Sequence, residues 1–238
     1  MARIGIGIIG SGGRVRHVAK SVVAHSDDLH ITAAYDPSPE ATEQVRQMQA
    51  DVRICDDYHA VASADDVQWV MIGSPNARHA EQAVAALEAG KHVFCEKPLA
   101  TTLDDALAMR DAQRRSGRRF IVGFTLRFSP HYRRIQQLLD EGVIGRLVSF
   151  EFNETLEFNH GGFIHGDWRR HRATAGTHVL EKCCHDIDLA NQFVASRAMR
   201  VASFAGLDIF RPEHRHHVER IGPNPKNGRA AFEGWGRP

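Results

Sequence analysis

Residues 3–14 read RIGIGIIGSGGR, and the reading of this stretch decides the fold. Ile4, Ile6, Ile8 and Ile9 form a short apolar run that ends in Gly10, Gly12 and Gly13. Val15 to Ala24 then read as a helix. Glycines permit a tight turn and close backbone approach, and a helix start offers unpaired N–H groups to a pyrophosphate. A strict G-x-G-x-x-G pattern from Gly10 passes through Gly12 but meets Val15 in the third place. On these residues alone, a purely structural strand-to-helix turn competes evenly with a phosphate cradle.

The pattern repeats outward from this stretch. Apolar runs at Leu29 to Tyr35, Val67 to Ile72, His92 to Cys95 and Arg119 to Gly123 alternate with helical stretches at Glu40 to Ala50, Arg78 to Ala89 and Thr102 to Gly117. Short, fully apolar strands need cover on both faces, and interleaved helices supply it. The expectation is an α/β, Rossmann-type, doubly wound parallel sheet over residues 1–123. Beyond it the character changes. Pro130 to Asp140 and Val179 to Val194 suit helices, and Leu147 to Phe158 and Val201 to Phe210 read as strands. Residues 124–211 are therefore expected to form an α+β substrate and oligomerisation domain with an open mixed sheet. Residues 212–238, rich in Arg, His, Gly and Pro, read as an irregular tail.

Composition bounds the function. Thirty basic residues against 29 acids in 238 give a formal charge of +1, which disfavours a polyanion binder such as a nucleic-acid protein. No apolar run is long enough to span a bilayer, so no membrane partner is expected. Four cysteines without a CxxC pair make no disulfide framework, which fits a cytoplasmic setting. Fifteen histidines show neither HExxH nor a His/Cys cluster at zinc spacing, so no metal is expected.

The chemistry-bearing residues gather after strand ends. Asp36 closes the second strand, where an acid accepts both ribose hydroxyls and repels a 2′-phosphate, favouring NAD over NADP. A turn-forming Asp-Pro is the plainer reading. Ser74, Pro75 and Asn76 follow the third strand, with Asn76 equally suited to cap the next helix. Glu96-Lys97-Pro98 follows the fourth strand, and Lys97 can donate to a substrate hydroxyl or belong to a surface pair. Glu181, His185 and Asp188 stand at i, i+4 and i+7, on one helix face. Either acid can orient the imidazole while His185 moves a hydroxyl proton.

These motifs resemble the Gfo/Idh/MocA oxidoreductases. The resemblance rests on IGIIGSGGR (6–14), Asp36-Pro37, SPNARHAEQAVAALEAGKHVFCEKPLA (74–100) and LEKCCHDIDL (180–189). It implies reversible hydride transfer between nicotinamide and a sugar, cyclitol or polyol carbon. It implies cofactor contacts from Gly10, Gly12, Gly13, Arg14, Asp36, Ser74, Pro75, Asn76, His79, Glu96, Lys97, Trp168 and Arg169. Lys97, His185 and Glu181 take catalytic roles by the same resemblance, and Lys97, Asp188 and His185 meet the substrate. A homo-oligomer built through the C-terminal sheet is implied too. Relatives are longer, so the second domain is expected to be incomplete. A catalytically silent nucleotide-binding or regulatory protein on the same scaffold is the competing reading.

Overall fold

The computed structural model describes residues 3–155, 167–208, 211–217 and 220. The chain divides into two compact units, residues 1–124 with 173–181 and residues 125–172 with 182–238.

The first unit is a six-stranded sheet, parallel at every pairing: β1 (Ile4–Ile9), β2 (Leu29–Tyr35), β3 (Arg53–Ile54), β4 (Trp69–Ile72), β5 (His92–Cys95) and β6 (Phe120–Val122). The strand order is β3-β2-β1-β4-β5-β6. Helices α1 (Gly13–Ala24), α2 (Pro39–Met48), α3 (Tyr58–Ser63), α4 (His79–Glu88) and α5 (Leu103–Ser116) connect the strands. The order reverses between β1 and β4, and ligands enter sheets of this kind outside the carboxyl ends of the strands at that reversal.

Two apolar clusters sandwich the sheet. One joins Ile9, Val70, Ile72, Val93 and Leu87, and the other Ile6, Ile8, Val15, Ile31 and Val45. Burying each such side chain contributes roughly 2 kcal/mol, which explains why short strands suffice. Local chemistry sets the helix ends. Asp57 accepts from Ala60 N at 2.7 Å to open α3. Thr102 accepts from Asp105 N at 3.1 Å to open α5, and Gly117 closes it at φ 62°. The two-residue β3 and the six-residue α3 were not legible in the sequence, since neither is long enough to show a period.

Two glycines fix the crossing of β1, α1 and β4. Gly10 sits at φ +75°, and a Cβ there would lie 2.3 Å from Ser74 N. A Cβ on Gly73 would lie 2.6 Å from the Cβ of Val15, a fully buried residue. The third glycine of the phosphate-loop pattern normally lets helix and strand approach closely. Here Val15 takes that place, and Gly73 on the facing segment supplies the missing room.

The second unit contains α6 (Pro130–Asp140) and most of α8 (His178–Val194), while α7 (Arg172–Ala175) lies across the boundary between the two units. Both strands expected here are corrected: residues 147–155 and 201–208 form no strand. Residues 156–158, 209 and 210 lie outside the described residues, as does most of the expected tail. Of the expected inward face, Phe152 lies 6.2 Å from Tyr132 of α6 between ring centroids, while Val148 and Phe150 are exposed. Yet a strand also needs a hydrogen-bonding neighbour, and none is present among the described residues. The mixed sheet expected to pack subunits is likewise absent among them. No helix of the described residues is long and apolar enough to cross a membrane.

Candidate active site

The carboxyl edge of the first unit carries most of the expected residues. Gly12, Gly13 and Arg14 are exposed at the start of α1, where Gly12 offers no side-chain cap. A Cβ on Gly13 would meet nothing within 4 Å, so the loop presents open backbone. Asp36, at the end of β2, faces this loop. Its Oδ2 accepts from Ser11 N at 2.7 Å and from Ser11 Oγ at 3.2 Å, and its Oδ1 accepts from Ser38 N at 2.9 Å. Asp36 is thus both the turn residue and the acid beside the glycine loop. Each oxygen keeps lone-pair capacity for a hydroxyl donor.

Glu96 follows β5 and is 7% exposed. Its buried Oε1 has no hydrogen-bond partner among the described residues. Burial pushes its carboxyl above the usual range, with Arg14 and Lys97 pulling the other way. Buried oxygens are rarely left unpaired, so this one is a ready acceptor for a ligand hydroxyl. Open glycine backbone, an uncapped helix start and an orphaned acceptor together fit a dinucleotide.

The segment after β4 is tied into the surrounding loops. Ser74 Oγ donates to Gln82 Oε1 at 2.6 Å. His79 is fully buried, with Nδ1 2.9 Å from the Pro98 carbonyl and Nε2 3.0 Å from the Ser74 carbonyl. Burial pushes this imidazole's pKa down, against the two carbonyls. These side chains brace the loops after β4 and β5. Pro75 is partly exposed beside them.

For Asn76 the helix-cap reading is corrected. Asn76 is 3% exposed, and its Nδ2 donates to Glu181 Oε2 at 2.6 Å and to the Ala175 carbonyl at 2.9 Å. It caps no helix, and its amide faces protein. Glu181, 5% exposed in the first turn of α8, accepts from Lys97 Nζ at 3.1 Å on Oε1 and at 2.9 Å on its backbone carbonyl. The two carboxylate oxygens therefore hold Asn76 and Lys97. Glu181 or Asp188 was expected to orient His185, and the contacts of Glu181 to Lys97 and Asn76 add a second task, because a carboxylate this deeply buried needs a cation and donors around it.

The remaining candidates belong to the second unit. Asp188 accepts a two-pronged contact from Arg127, with Nε and Nη2 each 2.5 Å from one oxygen. Sequence reasoning missed Arg127 as its partner, since nothing in the spacing links residues 127 and 188. His185 is half-buried on α8, one turn beyond Glu181. Arg169 lies over the Trp168 ring at 4.3 Å.

Residues 4–124 match a family model described as an oxidoreductase family with an NAD-binding Rossmann fold, and residues 132–220 match its GFO/IDH/MocA C-terminal domain. An inositol 2-dehydrogenase/D-chiro-inositol 3-dehydrogenase of Lactiplantibacillus plantarum is 28% identical over 221 residues, 91% of this chain and 56% of that protein. An inositol 2-dehydrogenase of Gluconacetobacter diazotrophicus is 37% identical over 147 residues, 61% of this chain and 44% of that protein. A levoglucosan dehydrogenase solved with NADH and levoglucosan aligns at TM-score 0.70 and 28% identity, covering 81% of this chain and 54% of that one. The chain spans about half the length of these relatives.

Proposed function

Because the chain belongs to the Gfo/Idh/MocA family of oxidoreductases, we propose that it serves an NAD-linked dehydrogenase or reductase reaction. The reacting carbon bears a hydroxyl or carbonyl group of a sugar, cyclitol or related polyol. The observation that carries this reading is Lys97 at the carboxyl end of β5, held at two points by Glu181. An ammonium has three N–H bonds, and Glu181 takes two. The lysine head, 20% exposed, keeps its third for an oxygen brought to the sheet edge.

When bound, the nicotinamide supplies the hydride acceptor or donor. The protein's part is positional and electrostatic. The glycine loop and the start of α1 receive the pyrophosphate, Asp36 the adenosine ribose and Glu96 a ribose hydroxyl. Lys97 holds the substrate oxygen and stabilises the negative charge that develops on it. His185 takes the proton released by a hydroxyl, a role that the family resemblance supports. Asn76 acts through Glu181, fixing the carboxylate that fixes the lysine. The inositol and levoglucosan specificities of the relatives support a cyclic polyol as substrate class.

The test is a fluorescence titration with NAD and NADP, followed by an activity screen over sugars and cyclitols. Lys97→Ala should retain NAD binding and lose kcat/KM on the order of 10³-fold. Near-normal turnover in that variant overturns the lysine assignment. Bound NAD with no turnover on any substrate supports the silent alternative. Asp36→Ala should weaken NAD about tenfold while changing NADP little. An unchanged NAD:NADP ratio would reduce Asp36 to a turn residue.

A further inference from the structure

Histidines 214, 216 and 217 occupy a four-residue run that the proposed reaction does not use. His214 ends a short 3-10 turn (Pro212–His214), His216 and His217 follow it, and all three lie in the second unit. One ring nitrogen from each falls within 4.8 Å of the others, the one such cluster of potential metal ligands among the described residues. Ring centroids stand 4.1 Å apart for His216 and His217, 5.6 Å for His214 and His217, and 6.1 Å for His214 and His216.

Two further observations point to a ligand. His216 Nδ1 lies 3.2 Å from the Glu213 carbonyl. A carbonyl only accepts, so Nδ1 carries the proton and Nε2 presents a lone pair. Metal-bound histidines are commonly held by this outer hydrogen bond. His217 Nδ1 is buried and has no hydrogen-bond partner among the described residues. A buried ring nitrogen without a partner is costly unless something else engages it.

We propose that His214, His216 and His217 form a binding site for one divalent transition-metal ion of the zinc, nickel or copper type. The ligand chemistry selects this class. Three neutral imidazoles and no carboxylate suit borderline ions and not Ca²⁺ or Mg²⁺, which require oxygen. The nearby Glu213 carboxylate pairs with Arg211 at 3.5 Å and stays outside the ligand set. Tetrahedral zinc–nitrogen bonds of about 2.1 Å place nitrogens about 3.4 Å apart. The ligand atoms, within 4.8 Å of one another, must close by about 1 Å on binding, and His216 is exposed while the other two are half-buried. Three ligands leave a fourth position for water. Zinc motifs are usually recognised by two spaced pairs of ligands, which is why a compact H-x-H-H run escapes a spacing search.

The test uses the full chain, stripped with chelator and titrated calorimetrically with Zn²⁺, with Co²⁺ absorption as a second probe. The expected result is one equivalent of Zn²⁺ and a visible Co²⁺ band that Zn²⁺ displaces. His216→Ala and His217→Ala should each weaken binding by at least about tenfold, and His59→Ala should leave it unchanged. His216→Gln and His217→Gln keep the polarity of the turn and guard against misfolding, with circular dichroism as the control. No saturable binding, or equal binding in the variants and the parent, overturns the site. Cofactor titration is independent of this outcome, so failure here leaves the proposed dehydrogenase reading intact.

Discussion

The two units solve the same problem of hiding apolar surface with different success. In the first, each strand lies against at least one neighbour, and Ile8, Ile9, Val70, Ile72 and Leu87 are fully buried. In the second, α6 buries no residue completely, while Val148, Met199, Val201 and Phe204 are 82%, 99%, 83% and 95% exposed. The sequence is apolar in both. The parallel sheet works because each strand brings its own covering helix, so βα units close locally. The alternating segment at 147–155 carries no such helix of its own and depends on an edge supplied from elsewhere. Periodicity describes which face would be buried, and pairing decides whether a strand exists at all.

Paired truncations put this contrast at risk. Leu87→Ala should destabilise the first unit by about 3 kcal/mol, whereas Phe204→Ala should stay within about 0.5 kcal/mol. Chemical denaturation followed by circular dichroism measures both, and similar losses would show that residue 204 is covered in solution. The ion pairs give a second, smaller contrast. Glu181→Ala strands Lys97 and Asn76 in a buried place and should cost about 3 kcal/mol. Asp188→Ala frees Arg127, whose side chain is 45% exposed, and should cost about 1 kcal/mol. Equal effects would mean that the Arg127–Asp188 contact is as enclosed as the lysine clamp.

The smallest effect concerns Glu96 and sharpens the account of the first unit alone. Its folded pKa is raised, so the unfolded chain loses this proton first as pH rises. Stability from this group is complete below the ordinary carboxyl range and declines as pH climbs through the raised value. Glu96→Gln should remove that decline, making the cofactor-free protein more stable than the parent near neutrality. Melting temperatures across pH 4–8 (roughly the window where a raised carboxyl titrates) check this. A parallel pair of curves would place Glu96 in a solvated setting.

Much of the site was legible because its parts are local. The glycine turn, the Asp36 strand end and the Glu96-Lys97 pair each follow a strand whose apolar run marks where the carboxyl edge must be. The partnerships were not legible. Asn76 and Glu181 are 105 residues apart, and Lys97 and Glu181 are 84 apart. Helical spacing put Glu181 on a face with His185, and could not show that its carboxylate also meets Lys97 and Asn76. Spacing reports which residues share a face, and only the surrounding structure says what that face meets.

The exchange at Val15 and Gly73 carries a consequence for how such loops are recognised. The crossing of α1 over the β4 end has room for the Val15 side chain because residue 73 has none. A pattern that demands glycine at the third loop position therefore tests one half of a sum. A search that scores the two positions jointly, allowing bulk at one when the other is bare, would admit loops like this one. It would also predict that Gly73→Ala costs less in a chain whose residue 15 has first been reduced to glycine, the remaining cost being a Cβ 2.9 Å from the Gly10 carbonyl oxygen.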